Sequence, residues 1–375
     1  MIVGYDAKRL AANRVGLGNY GRTLIRQLAR LAPENQYHLY SPVPFDPGLF
    51  NVTGLPSVRL HAPATKPNAL RQHHLRYRHV AKQAAEDRLD LFHGLSHSLP
   101  ARMPCPTIVT VHDLIVLRHP EFYPTIDRWS YTRAVRQGVE RADLILSVSE
   151  ATKADLCDLL GVAPERVVVT WQACDERFRP LIPAADLDRV RSRYALPRRF
   201  VLSVGTIEKR KNAVALVRAM EQVAGELKDV GLVFAGRGMR YLETVRAAVA
   251  QSKLAHRTQF LGFVDADDLP ALYHLATLFA YLPVIEGFGI PVLEAMQCGT
   301  PSITSNRSSL KEIGGEGASV LVDPESIESI AEGLVRGLDE RDGYQRLRAA
   351  LPGRVRQFAP EVVCQRVLQA YRRVI

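Results

Sequence analysis

Strand-like apolar runs alternate with helical patterns from one end of this chain to the other, and the alternation restarts halfway along. In the first half the runs are Met1–Tyr5, Tyr37–Tyr40, Val58–Leu60, Leu91–His93, Thr107–Val111, Leu144–Ser147 and Arg166–Thr170. In the second they are Phe200–Val204, Val230–Ala235, Thr258–Leu261, Leu278–Ala280, Ser302–Thr304 and Ser319–Val322. Short strands separated by helices are joined by crossovers rather than hairpins, so parallel sheets covered by helices are expected. At 375 residues the chain exceeds the roughly 250–300 at which single cores stop growing. Two α/β halves facing each other across a cleft are therefore expected. The boundary falls near Pro180–Arg198, where Pro180, Pro183 and Pro197 bracket a charged helical stretch. Domains at 1–185 and 186–357 follow, with a last helix at 358–375 that the pattern alone leaves to either half.

Composition narrows the class. The chain is 47% hydrophobic, 7% aromatic and 23% charged, which fits an ordinary globular protein. No apolar stretch reaches the roughly 18 residues of a membrane span. The opening Met1–Asp6 meets a charge at once and does not read as a signal peptide. Cysteines 105, 157, 174, 298 and 364 are scattered, which suits reduced thiols better than a disulfide framework or a zinc site. The net charge is +10, and residues 1–100 supply +7 of it, with thirteen Lys/Arg against six Asp/Glu. Much of that falls between Lys66 and Lys82. A basic face attracts phosphates on nucleic acid, anionic lipid or a sugar nucleotide, and charge alone does not choose among them.

Chemistry concentrates between Pro283 and Pro301. Glu286 stands in a turn with Gly287, Phe288 and Gly289, and Glu294 lies eight positions on, inside the apolar helical stretch Val292–Met296. Glycines let backbone N–H groups approach a ligand, and the helix start at Ile290 adds partial positive charge suited to a phosphate or sugar oxygen. Two carboxylates so spaced can grip hydroxyls at two points of an extended ligand. Glu294, flanked by Leu293, Ala295 and Met296, needs a partner in such company.

Four further places carry polar residues at strand ends. The segment Arg14–Tyr20 follows the first strand and opens a helix with Leu24, Leu28 and Leu31 on one face, and its Gly16 and Gly18 could admit a diphosphate or form a tight turn. His112 and Asp113 stand just past Thr107–Val111, where open α/β sheets bind ligands. His112 suits a polar contact or general catalyst, or a histidine satisfied by a backbone carbonyl. The strand ending at Val204-Gly205 runs into Lys209, Arg210 and Lys211. Such cations suit a leaving diphosphate, with a solvated charge run as the alternative. Phe263 and Val264 end another strand, where an aromatic could stack on a nucleobase or simply pack in the core. Asp265-Ala266-Asp267 precedes Leu269-Pro270 and reads as helix capping rather than a metal motif.

Together these residues resemble a family: the retaining GT-B glycosyltransferases of family 4, in their mannosyltransferase-like branch. The resemblance covers nearly the whole chain. It rests on Glu286 and Glu294, on Val204–Asn212, on Thr110–Leu114, on Val15–Tyr20 and on the tail from Phe358 to Val374. It implies two Rossmann-like domains with parallel sheets, the first for the acceptor and the second for the nucleotide sugar. The last helix would cross back onto the N-terminal domain. It further implies that Glu286 contacts the donor sugar, Glu294 holds the ribose, Lys211 grips the diphosphate and His112 lies beside the reacting sugar. Thr206 stands where many members have arginine, a charge that Arg210 would supply instead, and Val15 replaces a glycine.

The implied reaction moves a hexose onto an acceptor hydroxyl with retention and without a metal; the resemblance leans towards mannose from GDP-mannose or a related GDP-hexose, with UDP-hexoses behind. The acceptor expected is a lipid-linked glycan of cell-surface polysaccharide assembly. No cofactor is expected beyond the nucleotide-sugar donor, and no nucleic acid. The location expected is cytoplasmic, with peripheral attachment to an anionic membrane surface through residues 66–82. Two other readings remain: a GT-B sugar-nucleotide epimerase on the same donor site, and a non-catalytic basic protein binding nucleic acid or anionic surfaces. Phosphate-backbone binding needs no carboxylates, which weighs against the last.

Overall fold

The computed structural model of the chain describes residues 1–14, 16–51, 54–238, 240–339 and 343–375. It divides into two units, Met1–Ala173 with Phe358–Ile375, and Cys174–Gln357. Among the described residues the first unit holds seven strands: β1 (Ile2–Asp6), β2 (Gln36–Tyr40), β3 (Val58–His61), β4 (Leu91–Gly94), β5 (Thr107–Val111), β6 (Leu144–Ser147) and β7 (Val167–Val169). They are ordered β3-β2-β1-β4-β5-β6-β7, with every pairing parallel.

The second unit holds six: β8 (Arg199–Val204), β9 (Val230–Ala235), β10 (Thr258–Gly262), β11 (Leu278–Tyr281), β12 (Ser302–Ser305) and β13 (Ser319–Val322). Their order is β10-β9-β8-β11-β12-β13, again parallel throughout. Each unit is thus doubly wound, the chain building outward from a central strand in one direction and then the other. The order reverses between β1 and β4, and between β8 and β11. Loops leaving these strands' C-terminal ends part at that point, which is where such sheets take ligands. Both expected Rossmann-like halves are present, and each expected run forms a strand within a residue or two.

Both faces of the first sheet are covered, which explains why its strands read as continuous apolar runs. Alternate residues of a strand point to opposite faces. Val109, Val111 and Ile145 pack with Phe92, Val135 and Leu156 on one face. Ile108, Leu144 and Leu146 pack with Leu24, Leu28 and Val367 on the other. In the second unit β9 is buried along its length and joins Leu216, Met220, Val245 and Leu334 in one core.

The C-terminal helix Pro360–Arg372 belongs to the first unit. Phe358 meets Trp171 edge to face at 5.2 Å. The Arg366 guanidinium lies 3.8 Å above the Trp171 ring and donates to the Val169 carbonyl at 3.1 Å.

The units divide at Ala173/Cys174, ahead of the 185/186 border read from the prolines. Phe178 already packs on Tyr273, ring centroids 5.8 Å apart, so the proline-bracketed stretch lies inside the second unit. Its helix Ala184–Arg193 is tied to Leu269–Leu275 through buried Asp268. Asp268 accepts hydrogen bonds from Arg189 at 2.7 Å, Arg193 at 2.7 Å and the Tyr194 hydroxyl at 2.9 Å. The Asp265/Asp267 pair does not cap as expected. Asp268 occupies the N-cap position without a side-chain capping bond, although Pro270 does lie in the first turn. Asp265 pairs with Arg193 at 2.7 Å and Asp267 with Arg177 at 3.6 Å; plentiful arginine outcompetes the backbone for these carboxylates.

Candidate functional site

The second unit's switch point gathers charges that lie 75 and 76 residues apart in the sequence. β8 is followed by Gly205, in left-handed backbone at φ 132, and then by Lys209–Lys211 as a single 3-10 turn. β11 ends in Tyr281 and leads to Glu286. These loops meet because β8 and β11 are paired neighbours.

Three hydrogen bonds converge on Oε2 of Glu286. They come from Arg210 Nη1 at 2.9 Å, Lys211 Nζ at 2.5 Å and the Tyr281 hydroxyl at 2.7 Å. Lys211 also contacts the Tyr281 hydroxyl, and Arg210 Nη2 holds Glu208 at 2.6 Å. Burial by itself would raise the Glu286 pKa, but Lys211 and Arg210 override it and hold the carboxyl down at about 2. Burial lowers the pKa of Lys211, with Glu286 opposing. Glu286 is therefore an ionised acceptor across the physiological range and no proton donor.

The backbone around it is equally tied. Glu286 N–H donates to Ser308 Oγ at 3.2 Å, and Ser309 Oγ donates to the Glu286 carbonyl at 2.8 Å. Gly287, Phe288 and Gly289 are buried. Gly289 is the N-cap of the helix Ile290–Gln297 at φ 102. A Cβ there would also sit 2.5 Å from Leu310 Cδ2, so glycine is required on both counts. Pro291 follows Ile290 in the first turn and removes one N–H donor that a helix start would otherwise offer a ligand.

Glu294, about two turns on, is in a different state. The Tyr273 hydroxyl donates to Oε2 at 2.8 Å. Desolvation nonetheless raises the Glu294 pKa to about 7, and Asp175 adds to it. At the end of β10, Phe263 is 60% exposed with the Arg237 guanidinium 4.8 Å from its ring centroid. Val264 beside it is buried. So Phe263 offers an open ring face, and Val264 is core.

In the first unit the expected residues stand differently. His112 is buried at the end of β5. Its Nε2 donates to the Leu95 carbonyl at 2.9 Å, and Nδ1 faces Gln172 Nε2 at 3.4 Å. Burial lowers its pKa to about 4, so it is neutral near pH 7 and cannot serve as a cationic acid. Its ring packs edge to face on Tyr20 at 4.7 Å. The helix expected to open here is present as Gly16–Leu31, with Leu24 and Leu28 buried, and Gly16 and Gly18 lie within its first turn rather than in a loop ahead of it. A Cβ on Gly18 would clash with the Asn13 carbonyl. Arg22 fills the turn instead, donating to the Leu10 and Asn13 carbonyls at 2.9 and 2.8 Å. Val15 lies outside the described residues.

The basic segment is helical from Ala69 to Glu86, with a π turn at Leu75–His79. Arg76, expected at the surface, is drawn inward to Asp6 at 2.8 Å and Ser98 at 2.8 Å. Leu75 and Tyr77 are partly buried and Val80 fully. Leu70 at 81% exposure stays outside with Lys66, Arg71, Arg78 and Lys82. Among the described residues no helix is long and apolar enough to cross a membrane. All five cysteines are free.

Known families match both units. The pattern described as Glycosyltransferase Family 4 matches residues 15–177, and that of Glycosyl transferases group 1 matches residues 186–352. The chain belongs to the family 4 glycosyltransferases. Over 95% of its length it is 28% identical to the O-antigen chain mannosyltransferase B of Escherichia coli, of which it spans 96%. It is 30% identical, over 59% of its length, to a Mycobacterium tuberculosis GDP-mannose-dependent α-(1-6)-phosphatidylinositol monomannoside mannosyltransferase, spanning 60% of that protein. The crystal structure of Anabaena HepE in complex with UDP and glucose superposes with a TM-score of 0.76 at 19% identity, 98% of each chain being covered. That likeness establishes the GT-B fold.

For this glycosyltransferase, reading the sequence singled out the charged residues and missed the hydroxyls that hold them. Tyr281 lies one residue past the expected run Leu278–Ala280 and Tyr273 in the helix after Asp268, and each donates to one of the two glutamates. Ser308, in left-handed backbone at φ 48, gave no signal at all. A tyrosine at the last position of β11, five residues before Glu286, was the one available hint.

Proposed function

We propose that this glycosyltransferase moves mannose from GDP-mannose to a hydroxyl of a lipid-linked glycan, with retention at the anomeric carbon. The observation that carries the donor site is the convergence of Lys211, Arg210 and Tyr281 on Glu286 at the second unit's switch point, with Glu294 two turns further along. The choice of mannose and GDP rests on the mannosyltransferase relatives.

In this reading Gly205, Lys211 and Arg210 receive the diphosphate, helped by the Gly287-Phe288-Gly289 turn and the helix start at Ile290. As the bond from C1 to the β-phosphate oxygen breaks, its electron pair goes to the diphosphate, and fixed cations stabilise that charge without reorganising. Glu286 orients sugar hydroxyls, and Glu294 accepts from the ribose. Phe263 presents its open ring face to the nucleobase beside Val264. The acceptor oxygen attacks the face that the diphosphate leaves, and its proton passes to the departing oxygen, so no enzyme nucleophile is consumed. His112 takes part as a neutral hydrogen-bonding group. The positive groups occupy the role that a divalent cation fills in other phosphate-transfer sites.

A panel of sugar nucleotides tests this reading. GDP-mannose should raise the melting temperature of the full-length protein and be turned over to an α-mannoside by NMR. Turnover of UDP-hexoses alone, or a β product, would overturn it.

A further inference from the structure

We propose that His38, His61 and Asp87 of the first unit form a binding site for a divalent transition metal of the zinc class. His38 and Tyr40 are alternate residues of β2 and so share one face of the sheet. β3 lies alongside, with Tyr40 opposite His61 in the parallel register. Asp87 caps the helix Val80–Glu86 at its C-terminal end, over the same face. Three potential ligand atoms converge there. His38 Nδ1 is 3.2 Å from His61 Nε2 and 3.5 Å from Asp87 Oδ2, and His61 Nε2 is 3.8 Å from Asp87 Oδ2. A tetrahedral ion with bonds of about 2.0–2.1 Å sets ligand-to-ligand separations of roughly 3.3–3.4 Å. The three edges therefore already approximate one face of such a tetrahedron.

The surroundings fit the same reading. Tyr40 Oη donates to Asp87 Oδ2 at 2.5 Å, the kind of outer contact that fixes a ligating carboxylate. The His38 and His61 rings are stacked at 5.0 Å, and His61 stacks on Tyr40 at 4.5 Å, which sets both ring planes. His38 is buried, and its Nε2 has no hydrogen-bond partner among the described residues, so the ring's polar engagement is through Nδ1 toward the cluster. Two imidazoles and a carboxylate suit zinc, copper or nickel better than magnesium or calcium, which prefer oxygen donors. Tyr40 and His61 line a cavity of about 260 Å³ with Asp6, Arg71 and Arg76, which supplies an entry path and space for a water in the fourth position. Bound there, the metal would pin the edge strand β3 to β2 and to the helix ending at Glu86.

The test uses the full-length protein stripped with chelator and dialysed against zinc. One zinc per chain is expected. Cobalt substitution should give the intense visible bands of a tetrahedral centre. His61→Ala and Asp87→Asn should each abolish stoichiometric binding while melting like the wild type in EDTA. Tyr40→Phe, which removes only the outer contact, should weaken zinc roughly 10–100-fold. His256→Ala, an exposed histidine of the second unit, should change nothing. Binding well below one zinc per chain overturns the proposal, as does full binding by His61→Ala. If either ligand variant fails to fold, an undiminished zinc affinity in Tyr40→Phe overturns it instead.

Discussion

Glu286 and Glu294, eight residues apart on one loop and helix, are held in opposite protonation regimes. Glu286 collects two cations and a tyrosine hydroxyl on a single oxygen, and its pKa falls to about 2. Glu294 has burial and one tyrosine, and its pKa rises to about 7. Environments that push two carboxyls apart in this way are typical of sites that assign them different tasks.

The first consequence concerns turnover. Glu286→Gln, which keeps the shape and removes the charge, should lower kcat more than it changes the donor KM. A charged hydrogen bond is worth about 2–3 kcal/mol, or roughly 30–160-fold in rate. Steady-state kinetics decide it, and near-wild-type values would remove Glu286 from the mechanism. Glu286→Ala should do worse, because Lys211 and Arg210 then lose even the acceptor oxygen that glutamine would still offer them.

The second is a pH dependence with a definite sign. An acid whose folded pKa is raised contributes stability that is complete below its unfolded pKa and is lost as pH rises through the folded one. For Glu294 that window runs from about 4.5 to about 7. The ionised form is the better acceptor for a ribose hydroxyl, so the donor KM should fall as pH rises from 6 to 8. Glu294→Gln should flatten the KM profile and also the loss of thermal stability over the window. A KM that stays level with pH in the wild type would show that Glu294 does not hold the donor.

The proposed neutralisation of the diphosphate by Lys211 and Arg210 predicts that turnover needs neither magnesium nor manganese. Activity measured with EDTA, then with each ion restored, checks this. Loss of turnover in EDTA with recovery on magnesium or manganese, but not on zinc, would show that a metal carries that charge.

Attachment to anionic lipid should use the cations that remain outside. Arg71→Ser, Arg78→Ser and Lys82→Ser together should release the protein from anionic vesicles in a co-sedimentation assay, while Arg76→Ser should act through the fold instead. Each exposed cation near such a surface is worth about 1 kcal/mol, weakening with salt. No vesicle binding, or binding indifferent to salt, would leave the patch to a soluble anionic acceptor.

The sequence by itself determined the architecture and the charged half of the site. Runs such as Thr107–Val111 and Val230–Ala235 are apolar on both faces, and only a parallel sheet covered on both sides satisfies them. Glu286 and Gly289 were legible because a glycine loop opening a helix after a strand leaves few alternatives. What the sequence could not decide was which charges find each other. Arg76 lies seventy residues from Asp6 yet is taken from the surface by it, and the Asn13 carbonyl comes so close to Gly18 that a Cβ there would clash. The convergence of Lys211 and Tyr281 on one carboxylate oxygen, and of His38, His61 and Asp87 on one point, follows from strand order and register. Those are properties of long-range pairing, and because electrostatic and coordination energies fall off within a few ångströms, only the folded chain fixes them.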